Sequence, residues 1–189
     1  SDVYKRQAFD DANAVFAGAS TRLGSVVFPP PAFTDEEREA QEMMLRRTEF
    51  AQPAIGALAA GQFRFLAELG LAVTDFAGHS FGELTALWAS GSLSDNDFHA
   101  LARARGAAMA PSGDGDRGTM LAVPADRDRV EEMLDGRDDI WLCNHNAPDQ
   151  VVVGGGTDAV ERFAADARDA GLNVRQLPVS AAFHTPYVD

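Results

Sequence analysis

Ser80 sits at the centre of Gly78-His79-Ser80-Phe81-Gly82, a serine flanked at two residues on either side by glycine. The residues before it, 72–77, predict a strand. Those after it predict a helix with Leu84, Leu87 and Trp88 as its apolar face, stopping before Gly91. A G-x-S-x-G turn between strand and helix forces its central residue into a strained conformation and needs small residues where backbone passes close to backbone. Such a turn exposes the Ser80 hydroxyl and aims backbone N–H groups and the positive helix N-terminus at the same place, the arrangement an acyl oxyanion requires.

Serine is a weak nucleophile until a base takes its proton, so an imidazole is needed nearby. Four histidines are available. His79 adjoins Ser80 and is expected to shape the turn or contact substrate. His99 is placed by periodicity on a polar, solvated helix face. His145 and Asn146 lie in Cys143-Asn144-His145-Asn146-Ala147-Pro148, read as a polar turn after a strand and a possible pocket wall. His184, where the chain leaves the last strand, is the best-placed base. Arg105 lies 25 residues beyond Ser80 on the next helix. It is either solvated or faces the pocket, where its planar fork would suit bidentate capture of a carboxylate. Cys143 reads as a buried strand cysteine rather than a nucleophile. The Gly154-Gly155-Gly156-Thr157 run lacks the Lys-Ser/Thr ending of a phosphate loop and reads as a strand-to-helix turn with Thr157 as N-cap.

The elements that must position these residues follow from the rest of the chain. Residues 1–7 fit no later pattern and are set apart as a lead-in; 9–17 predicts a short amphipathic helix. Val26-Val27-Phe28 before three prolines predicts an extended connector. Thr34-x-x-Glu37 is a capping box opening a helix to about Arg47, whose Arg46-Arg47 pair suits a solvated helix end. Gln52-Pro53 is read as the start of the next helix, with Ile55, Leu58, Phe65, Leu66 and Leu69 as its buried stripe and Gly70 as its stop. Ser94-x-x-Asp97 opens a helix to about Met109, and 111–118 is a glycine- and aspartate-rich boundary. Beyond it the pattern reads strand 119–123, helix 127–134, strands 140–143 and 150–153, helix 158–170 and strand 173–179. This β-α-β-β-α-β order belongs to a ferredoxin-like subdomain.

The 189 residues carry 16 Lys and Arg against 29 Asp and Glu, a net charge of −13 that argues against nucleic acid and would require a local basic patch for a polyanion such as coenzyme A. No apolar run approaches the ~18 residues of a membrane span, and no signal peptide is visible. One cysteine rules out an internal disulfide and suits a cytoplasmic location.

Five ordered stretches carry a resemblance. They are Thr48-Glu49-Phe50-Ala51-Gln52-Pro53-Ala54, Gly78-His79-Ser80-Phe81-Gly82-Glu83, Arg103-Ala104-Arg105-Gly106, Asn146-Ala147-Pro148 with Val151-Val152-Val153-Gly154, and Val179-Ser180-Ala181-Ala182-Phe183-His184-Thr185. Together they resemble the malonyl-CoA:acyl carrier protein transacylase family, the acyltransferase domains of fatty-acid and polyketide synthases, and in particular those of polyketide-type polyunsaturated-fatty-acid synthases. The resemblance implies an α/β fold: a hydrolase-like core of parallel sheet and helices (8–117), an inserted ferredoxin-like α+β subdomain (118–179), and a return to the core (180–189). It implies Ser80 as the acylated nucleophile, His184 as its base oriented by backbone carbonyls, and the Phe81 N–H as an oxyanion donor. Arg105 would clamp a malonyl carboxylate, with Gln52, His79 and Asn146 lining the site. Phe183 would disfavour an α-methyl group, a preference worth only ~1–3 kcal/mol.

No metal or permanently bound cofactor is implied. The resemblance implies malonyl-CoA as the substrate and, as the acceptor, phosphopantetheine on an acyl carrier protein beside neighbouring synthase domains. The family's Gly-Gln-Gly-Ser-Gln loop has no match, and the family continues beyond the histidine. The chain is therefore expected to be an internal fragment of an active parent domain. A serine thioesterase shares the turn but would not need Arg105; a non-catalytic synthase module is the third reading.

Overall fold

The computed structural model describes residues 2–110 and 115–188, in two compact units, Ser1–Ala108 and Met109–Asp189. Among the described residues the first unit is helical: α1 (Asp2–Ala14), α2 (Leu23–Val27), α3 (Asp35–Arg46), α4 (Thr48–Glu68), α5 (Phe81–Ala89) and α6 (Asp95–Ala108). Residues 2–7 of the supposed lead-in belong to α1. Tyr4 packs its ring 6.2 Å from Phe65, and a Cβ on Gly61 of α4 would stand 2.7 Å from the Lys5 Cα. Val26 and Val27, expected in an extended connector, end the short helix α2, because Leu23 and Val26 turn inward onto Phe16 and Phe50. The Thr34–Glu37 capping box is present in both directions, Glu37 N–H donating to Thr34 Oγ1 at 3.1 Å and Thr34 N–H to Glu37 Oε2 at 3.2 Å. Arg46 and Arg47 pair with Glu42 and Glu49 at the exposed end of α3, as solvated helix-end charges do.

Helix α4 departs most from its sequence pattern. It begins at Thr48, four residues before Gln52; the Phe50 and Ala51 N–H groups donate to the Arg47 carbonyl at 2.9 and 2.8 Å, so the turn is formed before Pro53 is reached. Beyond Thr48 and Phe50 at its start, its buried face is made mostly of small residues: Gln52, Pro53, Gly56, Ala57, Ala60 and Gly61. Ile55, at 57% exposed, and Leu58, Leu66 and Leu69 face outward instead. Small side chains let α1 and α6 approach the α4 backbone closely, and a Cβ on Gly106 of α6 would come within 2.6 Å of the Thr48 carbonyl oxygen. Close helix packing outweighs the larger transfer energy of the leucines.

Residues 71–78 run without an assigned strand. A strand is defined by its ladder partner, and none lies beside this segment among the described residues, so the expected 72–77 strand and a parallel sheet around it are not formed there.

The second unit follows the expected order: β1 (Thr119–Val123), α7 (Arg127–Leu134), β2 (Ile140–Ala147), β3 (Gln150–Gly155), α8 (Thr157–Asp169) and β4 (Arg175–Gln176), then a 3₁₀ turn Pro186–Val188. The sheet order is β2-β3-β1-β4, every pair antiparallel, with Leu121 opposite Val153 and Val123 opposite Val151. These residues join Val130, Val160 and Phe163 in one core. Two spans differ from the pattern. β2 runs on to Ala147, so Asn144, His145 and Asn146 are strand residues and the turn is Pro148-Asp149. β4 keeps only two residues of the expected seven, since Pro178 has no N–H to continue the ladder. Residues 180–188 lie in this second unit, with Ala182 N–H donating to the Arg117 carbonyl at 3.0 Å. The first half of the 111–118 boundary falls outside the described residues.

Candidate active site

Ser80 is the N-cap of α5, with φ 53° and ψ −112°. A non-glycine residue with positive φ costs on the order of 1 kcal/mol and persists only where its surroundings fix it. Two features fix it here. Gly82 N–H donates to the His79 carbonyl at 2.9 Å and Glu83 N–H to the Ser80 carbonyl at 3.1 Å, closing the turn. Phe81, the next residue, is buried against Trp88, Phe98 and Ala102. The two glycines are not equivalent. A Cβ on Gly78 would collide with the Gly82 carbonyl, whereas one on Gly82 would meet open space. Gly78→Ala is therefore expected to destabilise the unit by about 2–4 kcal/mol and to displace the serine, while Gly82→Ala is tolerated; urea unfolding of the two variants checks this.

Arg105 settles toward the serine. From α6 its Nη2 donates to Ser80 Oγ at 3.2 Å and its Nη1 to Gln52 Oε1 at 2.6 Å, with the guanidinium 6.0 Å from the Phe81 ring centroid. Gln52 in turn donates from Nε2 to Thr48 Oγ1 at 2.6 Å, both residues being buried. This contact sets the amide so that its oxygen faces the arginine. Thr48 has no role assigned from sequence, although its i,i+4 spacing to Gln52 on one helix is the signal that would have found it. Phe81 N–H opens α5, where the helix offers a first-turn donor no acceptor of its own. His79 is exposed beside the serine. An apolar hollow of about 570 Å³ lies within this unit, lined by Ile55, Phe63, Phe76, Ser80 and Phe81 among others. The structure thus brings Ser80, Arg105, Gln52 and Phe81 together.

Asn146, Phe183 and His184 belong to the second unit. Asn146 and His145 lie exposed on β2, so the expected polar turn is instead the end of a strand. His184 is exposed and holds a φ of 63°; Phe183 before it is half-buried. Cys143, on β2, has its thiol pushed up to about 11 by burial, which leaves it protonated and unreactive near neutrality. The glycine run is part strand: Gly154 and Gly155 belong to β3, and Gly156 rather than Thr157 is the N-cap of α8. The α8 N-terminus is occupied by Asp116, which accepts from Thr157 N–H at 2.7 Å and from Thr157 Oγ1 at 2.6 Å. These hydrogen bonds hold the Asp116 carboxyl below its ordinary value.

His99 corrects the sequence reading outright. It is 1% exposed, inside the first unit beside Phe98, and burial lowers its pKa. Neither ring nitrogen has a hydrogen-bond partner among the described residues. Ala102 and Gly106, three and seven residues on, share its buried face and were the sequence signal for it. Among the described residues no three His, Cys, Asp or Glu side chains cluster as a metal site, and no helix is long and apolar enough to cross a membrane.

A strained serine at the mouth of a helix, with one arm of an arginine fork on its hydroxyl, has the parts that acyl transfer uses. The chain belongs to the acyl transferase domain family, whose sequence profile matches residues 10–189. It is 36% identical over 188 residues to the polyketide synthase GfsA of Streptomyces halstedii, covering 97% of this chain and 2% of that protein. To a polyunsaturated fatty acid synthase polypeptide of a Thraustochytrium species it is 29% identical over 189 residues, 96% of this chain and 6% of that one. The crystal structure of an acyl-carrier-protein-S-malonyltransferase from Bartonella henselae superposes with a TM-score of 0.80 at 32% identity, covering 98% of this chain and 58% of the other. The chain therefore spans a small part of the curated synthases it matches.

Proposed function

We propose that this chain is the acyl-accepting part of a malonyl transferase within a longer multidomain synthase, passing malonyl from malonyl-CoA to the phosphopantetheine thiol of an acyl carrier protein. The observation that carries this reading is the 3.2 Å between Arg105 Nη2 and Ser80 Oγ. The two carbonyl carbons of a malonyl group are separated by two C–C bonds, about 2.5 Å. A carboxylate held on Arg105 therefore leaves the thioester carbon within reach of the serine oxygen. Longer dicarboxylic acyl groups would overshoot, and neutral ones would leave the guanidinium without an anion.

In the first half-reaction Ser80 gives its proton to His184 as its oxygen bonds to the thioester carbon. The Phe81 N–H holds the tetrahedral oxyanion. The C–S bond then breaks, the CoA sulfur takes the proton back from the imidazolium, and a malonyl ester remains on Ser80. The carrier thiol repeats the cycle in reverse, giving its proton to His184 and forming the new thioester as Ser80 is released. The likeness in fold to the malonyltransferase supports a hydrolase-like core with a ferredoxin-like unit over 118–179. Phe183 opposes an α-methyl substituent, and the lining is completed by His79 and Asn146.

The test is intact mass of the full-length protein after malonyl-CoA, with peptide mapping of the adduct and acetyl-CoA as a competing donor. A malonyl ester on Ser80 that exceeds the acetyl one is expected. Release of free CoA without an adduct would make the protein a hydrolase, and neither adduct nor release would make it a non-catalytic module.

A further inference from the structure

The glycine run at the end of β3 is absorbed by neither the phosphate-loop reading nor the catalytic one, and its surroundings give it another role. A Cβ on Gly155 would collide with the Asp139 carbonyl oxygen. One on Gly156 would collide with the Asp139 carboxylate and stand 2.6 Å from the Tyr187 hydroxyl. The bare backbone clears a seat for two side chains that meet there, Tyr187 OH donating to Asp139 Oδ2 at 2.7 Å. Asp139 itself holds a φ of 62° and accepts from Gly156 N–H through its carbonyl at 3.0 Å. Trp141, two residues on, lies edge-on to the Tyr187 ring at 6.4 Å. The hydrogen bond to Asp139 pushes the Tyr187 phenol up to about 12, so it remains a donor at any working pH.

Tyr187 stands three residues after His184, whose own backbone is held at φ 63°. A strained residue needs anchors on both sides. Before it, Ala182 N–H donates to the Arg117 carbonyl at 3.0 Å. Within the turn, Thr185 Oγ1 donates to the Ala182 carbonyl at 2.5 Å and accepts from Tyr187 N–H at 3.2 Å. After it, the side-chain anchor is the Tyr187–Asp139 bond, which carries the turn across to the loop between α7 and β2. We propose that Tyr187 and Asp139, seated on Gly155 and Gly156, are positioning residues that hold the strained His184 turn in its active shape. The proposal rests on His184 being the base.

The experiment compares Tyr187→Phe, Gly156→Ala and Asp139→Asn in the full-length protein, reading malonyl-CoA acylation kinetics, the pH profile and the His184 imidazole signal by NMR. Tyr187→Phe is expected to lower the acylation kcat about 10-fold, the worth of one hydrogen bond expressed as a rate, with KM nearly unchanged. Its pH profile and the His184 imidazole signal should move together. Gly156→Ala should do the same from the other side of the bond. Asn accepts the same hydrogen bond and tolerates positive φ, so Asp139→Asn should keep the rate within about 3-fold of wild type. A wild-type kcat in Tyr187→Phe with an unmoved His184 signal overturns the proposal. His184→Ala retaining full acylation sinks the base reading alone; the tether is then judged by the His184 signal, which must still move in Tyr187→Phe.

Discussion

Ser80→Ala is expected to abolish the malonyl adduct, with the acylation rate falling by about 10⁴–10⁶. The loss is chemical and not structural. Alanine keeps the Cβ, and Phe81 stays buried in the Trp88–Phe98 cluster that holds the turn. The two backbone bonds that close the turn, from Gly82 and Glu83, do not involve the serine side chain. The 3.2 Å bond from Arg105 is lost, at a half-buried site where one hydrogen bond is worth about 1 kcal/mol. The urea midpoint should therefore move little. Ser80→Gly separates strain from chemistry: it relaxes a φ of 53° and should stabilise the first unit by about 1 kcal/mol while being equally unable to form an ester. A residual adduct in Ser80→Ala, mapped to another residue, would remove Ser80 from the nucleophile's place.

What the sequence revealed, and what it hid, divides along a physical line. Features set by neighbours in the chain were legible. The Thr34–Glu37 box, the Ser94 start of a later helix and the Gly78–Ser80 turn each depend on atoms within a few residues. The β-α-β-β-α-β order was legible for the same reason: apolar runs such as 120–123 and 151–153 are bounded by turn residues. Features set by distant partners were not. The α4 stripe looks buried by size, yet the chain buries the face where Gly61 lets the α1 backbone approach and Gly56 leaves room for the Phe81 and Phe98 rings. His99 looks solvated beside Asp95 and Asp97, but the helix turns it onto the small face of α6. The 72–77 segment has a strand's composition, and composition supplies no ladder partner. At the site, Ser80 was legible from its glycines. The orientation of Arg105 was not, because it depends on Thr48 and Gln52 of another helix aligning the fork.

That alignment makes Arg105→Ala the sharpest test of substrate class. Gln52 fixes Nη1 from one side, and Thr48 fixes Gln52, so the guanidinium is held before any ligand arrives. A preorganised, partly desolvated fork makes charge-assisted bonds worth about 1.5–3 kcal/mol each, and little of that is lost to ordering the side chain. Removing it should lower kcat/KM for malonyl-CoA by about 10²–10³. Acetyl-CoA, which has no carboxylate to place, should change by less than about 5-fold, or gain as the unmatched cation disappears. Arg105→Lys should fall between, since an ammonium supplies charge without the bidentate plane and cannot hold the Gln52 oxygen and a carboxylate in one geometry. Thr48→Val, which preserves shape but frees the Gln52 amide to rotate, should reproduce part of the malonyl loss at a distance from the substrate. Measuring both donors in parallel decides the matter: equal losses would mean that Arg105 supports the Ser80 turn rather than the carboxylate, and unequal ones that the 3.2 Å between guanidinium and hydroxyl sets which acyl group this serine accepts.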